Sequence, residues 1–136
     1  MAEYIQKVSI DGTAATTISG TVTVKFGTLQ YDGTAGTATG NYSSVQTNTE
    51  LVAAPGAGVS IYLTDLLISN GATAGYITIV EDTTSAVVKI QRLNLAANGG
   101  ASIQFATPIK FTAAKNLGIT SSTADDFSVT ASYFTA

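Results

Sequence analysis

Apolar and polar side chains alternate in short segments along most of this chain. In residues 21–26 (TVTVKF), the two valines and the phenylalanine share one face, and the threonines and the lysine share the other. Ile103 and Phe105 alternate in the same way with Ser102 and Gln104. A period of two residues is typical of a strand that is buried on one face only. The pattern therefore predicts a chain built from β-strands.

Turn residues separate these segments at regular intervals. We predict strands over residues 45–53, 59–69, 76–80, 86–95, 103–111, 117–121 and 127–134. Residues 59–69 alternate only in part, so we expect much of this strand to be covered on both faces. Residues 111–117 (FTAAKNL) are the single helix candidate, of one turn. Short strands at this spacing predict an all-β fold, an antiparallel β-sandwich of jelly-roll type.

A stretch of small residues divides the chain. Residues 32–40 (DGTAGTATG) contain no large apolar side chain, so we expect a linker there. We therefore predict two parts: an extended N-terminal β arm with its linker over residues 1–40, and the β-sandwich domain over residues 41–136. The arm is too short to bury its apolar side chains by itself.

Composition narrows the possible functions. The 136-residue chain has no cysteine and no histidine, which removes thiolate metal sites and the commonest general base. Charged residues make up 11% of the chain, against a usual value of about 25%. The six basic residues are scattered and the net charge is −3, so we expect no nucleic-acid partner. A surface with so little charge suits a subunit that packs against other subunits.

The chain carries no targeting or membrane signal that we recognise. The first ten residues (MAEYIQKVSI) lack the apolar stretch of a signal peptide. No segment approaches the roughly 18 apolar residues of a membrane helix. We expect a protein made in the cytoplasm without a cleaved signal and with no membrane partner.

Candidate catalytic and metal-binding groups are few. The acidic pairs Glu81-Asp82 and Asp125-Asp126 could bind calcium or share a proton, but both fall at predicted turns, where a solvated loop is the simpler interpretation. Lys89 is expected to point outward from a strand that buries Val88 and Ile90, and Lys110 to lie in solvent. Neither lysine then suits the activation of a serine. We predict no catalytic residues, no bound metal, no cofactor and no enzymatic activity.

The candidate interface residues are apolar or aromatic side chains in or beside the arm. Tyr31 and Tyr42 flank the predicted linker, and exposed aromatic residues are enriched at interfaces. The predicted strands of the arm have two apolar patches, and the sequence shows no neighbouring strand that would cover them. The full set is Ile5, Val8, Ile10, Val22, Val24, Phe26, Tyr31 and Tyr42.

Four segments resemble structural proteins of tailed bacteriophages. Residues 18–24 (ISGTVTV) are similar to strand segments that recur in those proteins. Residues 93–100 (LNLAANGG), 105–108 (FATP) and 117–122 (LGITSS), followed by a terminal strand, resemble small β-sandwich proteins of phage virions, such as capsid decoration proteins, head fibres and tail accessory proteins. In its order of strands and turns, the resemblance covers residues 45–134.

This resemblance implies a non-enzymatic virion subunit. We expect a capsid decoration protein, either a cement protein or a head-fibre subunit, that forms a homo-oligomer, specifically a trimer. Its partners would be itself and the major capsid protein or another virion protein. Two alternatives stay open: a tail or baseplate accessory protein, and a carbohydrate-binding or receptor-binding β-sandwich module.

Overall fold

The computed structural model describes residues 33–123 and 125–136. These residues form eight β-strands and no helix. The strands are β1 (Thr34–Tyr42), β2 (Thr49–Val52), β3 (Ile61–Asn70), β4 (Gly75–Glu81), β5 (Val87–Leu95), β6 (Gly100–Lys110), β7 (Leu117–Ser121) and β8 (Phe127–Thr135).

The strands make two four-stranded sheets in which every pairing is antiparallel. One sheet has the order β1-β8-β3-β6 and the other the order β2-β7-β4-β5. Buried side chains from both sheets form a single apolar cluster. The result is an all-β, β-sandwich-like fold, which confirms the predicted class.

Most of the predicted strands are confirmed to within a few residues. The strand over residues 117–121 has the predicted bounds, whereas the one predicted over residues 45–53 is confined to Thr49–Val52. The one-turn helix predicted at residues 111–117 is wrong. That segment is a loop in which Ala114 has a φ of +59°, outside the helical range.

The predicted linker is also wrong for most of its length, because residues 34–40 belong to β1. This strand pairs with β8 over nine consecutive residues without a register shift. The glycines of β1 face the core, and aromatic rings of the sheet cover them. Tyr133 of β8 lies over Gly36, and Tyr42 of β1 lies over Gly40. The apolar cover of this strand is therefore supplied by two tyrosines, Tyr42 at its own end and Tyr133 on β8.

The core lies between the two sheets. Its centre is made of aliphatic side chains from β3, β4 and β7, and Val129 of β8 and Phe111 of the loop after β6 complete it. The fully buried large side chains are Ile61, Leu63, Leu66, Ile68, Ile77, Ile79, Phe111, Leu117, Ile119 and Val129.

A bulge in β3 explains its partial alternation. Leu63 pairs with Tyr133 and Asp65 pairs with Ser132, so Thr64 is an extra residue that reverses the inward face. The Thr64 hydroxyl donates a hydrogen bond to the Ser132 carbonyl at 3.0 Å. Much of β3 is buried or half-buried as expected, but its outer face is open near its end, where Leu67 is 58% exposed.

Register shifts in β5 change the predicted orientation of its side chains. The pairing with β4 shifts twice, next to Ile79. Val88, expected inward, is 47% exposed, whereas Ile90 packs against the core as expected. Lys89, expected in solvent, lies 2.9 Å from the buried carboxylate of Glu81.

Candidate interaction surface

The outer face of the sheet β1-β8-β3-β6 is lined by small hydroxyl side chains. Strand register places them in rows across the sheet. The four rows are Asn41–Ser128–Ser69–Gly100, Thr39–Thr130–Leu67–Ser102, Thr37–Ser132–Asp65–Gln104 and Ala35–Phe134–Tyr62–Lys110. Asp65 and Lys110 are the charged residues in these rows. The face is therefore sparsely charged, as surfaces that are buried between subunits are.

Leu67 stands in the middle of this face. Its neighbours across the sheet are Thr130 and Ser102, and 58% of its surface is exposed to solvent. Thr130 in turn shares a 2.9 Å hydroxyl–hydroxyl hydrogen bond with Thr39. A large apolar side chain surrounded by small polar ones gives this part of the face an apolar contact point.

Strand β1 forms one edge of this sheet among the described residues. Tyr42, at its end, is the one predicted interface residue that the structure describes. It is half-buried, and its ring stacks on Phe127 with centroids 5.0 Å apart. Burial raises the pKa of the Tyr42 phenol above its ordinary value. Tyr42 therefore belongs to the edge of the core rather than to a flexible linker.

The other predicted interface residues lie outside the described part of the chain. They are Ile5, Val8, Ile10, Val22, Val24, Phe26 and Tyr31. The N-terminal arm to which they were assigned also lies outside it, up to residue 32.

A polar cleft opens beside the end of β1. Its volume is about 460 Å³, and Tyr42 and Phe127 contribute aromatic lining. Its polar lining consists of Asn41, Ser43, Ser69, Asp126 and Ser128. Hydroxyl, amide and carboxylate groups around an aromatic pair are suited to a small ligand that carries many hydroxyl groups.

The first acidic pair holds two loops together. Glu81 is 6% exposed and accepts hydrogen bonds from the N–H and hydroxyl of Thr112 at 2.5 and 2.9 Å. Lys89 completes the carboxylate's partners and also lies 5.6 Å from the centroid of the Phe111 ring. Burial raises the pKa of Glu81, but the hydrogen bonds from Thr112 and Lys89 outweigh it, so the pKa lies below its ordinary value. This carboxylate is ionised and occupied by protein partners.

Its neighbour Asp82 lies in the loop that follows β4 and is also bound by other side chains. The Asp82 carboxylate accepts hydrogen bonds from Lys115 at 2.6 Å and from the Ser85 hydroxyl at 2.8 Å. These bonds, with that of Lys115 the largest effect, lower the pKa of Asp82 to about 2. Asp82 also has a φ of +56°, as is common for Asp in tight turns.

The second acidic pair lies at the turn before β8. Asp125 accepts hydrogen bonds from the backbone N–H of Asp126 at 2.8 Å and, more weakly, from the hydroxyl of Thr73 at 3.4 Å. Within residues 33–123 and 125–136, no three metal-ligating side chains come together. The structure thus places Glu81 at the end of β4 and the other three carboxylates in loops, and Asp126 also lines the polar cleft.

Sequence reasoning missed the edge strand β1 and the exposed face beside it. The available signal was a strict alternation in the sequence: Gly36, Ala38, Gly40 and Tyr42 face the core, and Thr37, Thr39 and Asn41 between them face solvent. Small and polar residues that alternate in this way have the two-residue period of a strand, although most of them are not large and apolar.

Comparison with known proteins gives no match to a family model, a curated protein or a solved structure. In the described part of the chain, no helix has the length and apolar character needed to span a membrane.

Proposed function

We propose that the described domain is a jelly roll and that the chain is a non-enzymatic capsid decoration subunit of a tailed bacteriophage. Each strand of the first half pairs with its counterpart in the second half: β1 with β8, β2 with β7, β3 with β6 and β4 with β5. A long antiparallel ribbon of four strand pairs, folded into two sheets, gives this order. Jelly rolls of eight strands are common among viral capsid and lectin domains. This strand order is the observation that carries the proposal.

The outer face of the sheet supports an assembly role. A free protein of this size usually keeps both signs of charge spread over its surface, which keeps it soluble. Asp65 and Lys110 are the charges in the four rows of this face, and Leu67 is exposed between Thr130 and Ser102. Contact with other subunits around Leu67 would bury this side chain together with few charges. The proposed state is a homo-oligomer, specifically a trimer.

The proposed contact with the shell is the N-terminal arm. Because β1 begins at Thr34, the arm is restricted to residues 1–33. Two apolar patches predicted there, one around Ile5 and one around Val22, would anchor the subunit to the major capsid protein, and the β-sandwich would project outward. The protein's location is then the virion.

The test is to locate the protein in purified virions. Capsids and tails of the source phage are separated, and each fraction is quantified by mass spectrometry. We expect the protein in the capsid fraction, in fixed ratio to the major capsid protein, and released by mild denaturant without loss of the shell. Its presence in the tail fraction alone would favour the tail or baseplate accessory role. Its absence from both fractions would overturn a virion role.

Oligomeric state is measured separately on the isolated protein. Sedimentation equilibrium should give about three times the chain mass of 13.8 kDa. A mass of 13.8 kDa at every concentration would contradict self-assembly.

The polar cleft favours a second candidate function, carbohydrate or receptor binding. A glycan array probed with the intact protein tests it. Asn41→Ala and Asp126→Ala should abolish any signal, and the matched control Gln104→Ala, which is exposed on β6 away from the cleft, should retain it. An array without signal would count against carbohydrate binding and leave the two virion roles, capsid decoration and tail accessory, to be separated by the fractionation of virions.

A further inference from the structure

Two asparagines of this chain precede a glycine, and the fold places the two dipeptides side by side. Asn70-Gly71 ends β3, and Asn98-Gly99 lies directly before β6. The backbone N–H of Asn70 donates a hydrogen bond to the Gly99 carbonyl at 2.8 Å, and that of Asn98 donates one to the Gly71 carbonyl at 2.6 Å. These reciprocal hydrogen bonds hold the turn after β3 against the turn between β5 and β6.

An Asn-Gly dipeptide is able to react with itself in water. The deprotonated backbone nitrogen of the glycine attacks the side-chain carbonyl carbon of the asparagine, so that a new C–N bond forms and the side-chain nitrogen leaves as ammonia. Water then opens the cyclic imide at one of its two carbonyls, which yields aspartate or isoaspartate. Asparagine is a thermolabile residue, and a following glycine hinders the attack least because it has no side chain.

The fold protects Asn70 from this reaction. The residue is 5% exposed, and its side-chain nitrogen donates hydrogen bonds to the carbonyls of Thr73 and Ala96 at 2.9 and 2.8 Å. Its side-chain oxygen accepts one from Thr123 at 3.3 Å. Rotation of this amide toward the Gly71 nitrogen would break these bonds in a buried site. Reaction at Asn70 therefore requires local unfolding.

Asn98 lacks this protection. It lies exposed in the turn at residues 96–99, and its side chain has no hydrogen-bond partner among the described residues. The attacking nitrogen of Gly99 is held by one hydrogen bond within the turn, to the Ala96 carbonyl at 3.1 Å. Opening of this single bond at the protein surface frees the Gly99 nitrogen, whereas the Asn98 amide is already free to rotate.

We propose that Asn98 is a site of spontaneous deamidation, and that its conversion to isoaspartate detaches the turn at residues 96–99 from the turn after β3. In isoaspartate the chain continues through the side-chain carbonyl, so one extra carbon enters the main chain between the nitrogen of residue 98 and Gly99. The two reciprocal hydrogen bonds need the spacing of a normal backbone between the N–H of residue 98 and the Gly99 carbonyl. The lengthened segment cannot keep both.

The detachment reaches a buried residue. Asn70 is bonded to this turn twice, through its backbone N–H to Gly99 and through its side chain to Ala96. A protein that is modified at Asn98 should therefore unfold more easily than the fresh protein. The reaction would make this turn a slow and irreversible switch, whatever the role of the protein.

Peptide mapping of the full-length protein by mass spectrometry tests the proposal. The folded protein is incubated in mildly alkaline buffer, which favours deprotonation of the glycine nitrogen, and samples are digested with trypsin at intervals. Asn98 falls in the tryptic peptide of residues 93–110 together with Asn94, and fragment spectra separate the two. A sample digested at time zero corrects for modification during digestion. A parallel incubation in denaturant gives the rates at both Asn-Gly dipeptides without the fold.

We expect Asn98 to react at least about tenfold faster than Asn70 in the folded protein, because the hydrogen bonds that hold the Asn70 amide must open first. In denaturant the two rates should be similar. Equal rates in the folded protein would overturn the proposal. So would an Asn98 that stays intact after the denatured chain has reacted at both dipeptides.

The matched control is Asn98→Gln, whose longer side chain would have to close a larger ring and should stay unmodified. Urea denaturation compares each chain before and after incubation. The native chain should lose stability in proportion to the fraction modified at Asn98, and N98Q should not change. A modified chain that is as stable as the fresh one, or an equal loss in N98Q, would overturn the proposed detachment of the turn.

Discussion

Tyr133 on β8 lies over Gly36 on the neighbouring strand β1, where a Cβ atom would come within 2.6 Å of the Cζ atom of the tyrosine ring. The two residues are direct partners across the strands, and the ring faces the core. Glycine at position 36 thus leaves the space that the ring occupies, and the ring in turn covers a strand that has no large apolar side chain before Tyr42 at its end.

The first prediction follows from this contact. Gly36→Ala should lower the free energy of unfolding by about 1–2 kcal/mol, because the added methyl group displaces the Tyr133 ring from its packed position. Urea denaturation followed by circular dichroism measures the change. Gly56→Ala is the matched control: a Cβ atom there meets no atom within 4 Å, so its stability should be unchanged or slightly higher. Equal losses in the two variants would contradict the packing role of Gly36.

The second prediction concerns the buried side chain of Asn70. Its amide donates hydrogen bonds to the carbonyls of Thr73 and Ala96 at 2.9 and 2.8 Å, and its carbonyl accepts one from Thr123 at 3.3 Å. Asn70→Ala should cost about 2–4 kcal/mol of unfolding free energy, since each lost bond contributes about 1 kcal/mol and its buried partners are left unpaired. Asn94→Ala, on the exposed side of β5, is the control and should change stability by less than about 0.5 kcal/mol.

The third prediction is a loss of stability in acid that depends on Glu81. Its pKa in the folded protein lies below its ordinary value, so its stabilising contribution is complete above the unfolded pKa and is lost as the pH falls through the folded one. The unfolding free energy of the native chain should therefore decrease as the pH falls below about 4.5.

Glu81→Gln separates this effect from general acid denaturation. The variant should be less stable at pH 7 by about 1.5–3 kcal/mol, the value of a hydrogen bond to a charged group, and should show a weaker pH dependence between pH 4.5 and 3. Asp65→Asn retains the Glu81 contacts and should keep the acid sensitivity of the native chain. If E81Q and the native chain lose stability in parallel as the pH falls, the Glu81 contacts are not the source of the acid sensitivity.

The fourth prediction concerns the pKa of Asp82. NMR titration of the native chain should give a value of about 2, held down chiefly by Lys115. In Lys115→Met the pKa should rise toward its ordinary value of 3.8, because the hydrogen bond and the positive charge are both removed. Lys110→Met, a lysine that contacts the Tyr62 ring instead, should leave the Asp82 titration unchanged. A value near 3.8 in the native chain would show that the Lys115 contact does not form in solution.

The sequence predicted the strands whose own side chains carry an apolar alternation. Residues 117–121 and 127–134 were placed almost to the residue, because their large apolar side chains recur every second position and turn residues bound them. Leu67 was not predicted to be exposed, since the bulge at Thr64 depends on how β3 pairs with β8. One inserted residue reverses every later side chain on the strand.

The interaction surface was harder to predict from the sequence than the strands were. β1 resembles a linker because its apolar cover comes largely from Tyr133, nearly a hundred residues later in the chain. Glu81 resembles a solvated loop residue because its partner Thr112 lies 31 residues away. Both features depend on contacts between distant parts of the chain, and local periodicity carries no information about such contacts.

The central claim is that the β-sandwich is a decoration subunit anchored to the shell by its N-terminal arm. Deletion of residues 1–30 tests it most directly, because the deletion leaves β1 and every described strand in place. The truncated and full-length proteins are compared by circular dichroism and by co-sedimentation with purified capsids. We predict that the truncated protein keeps its β-sheet spectrum and no longer co-sediments with capsids. A truncated protein that still decorates capsids at full occupancy, or one that unfolds, would contradict this account.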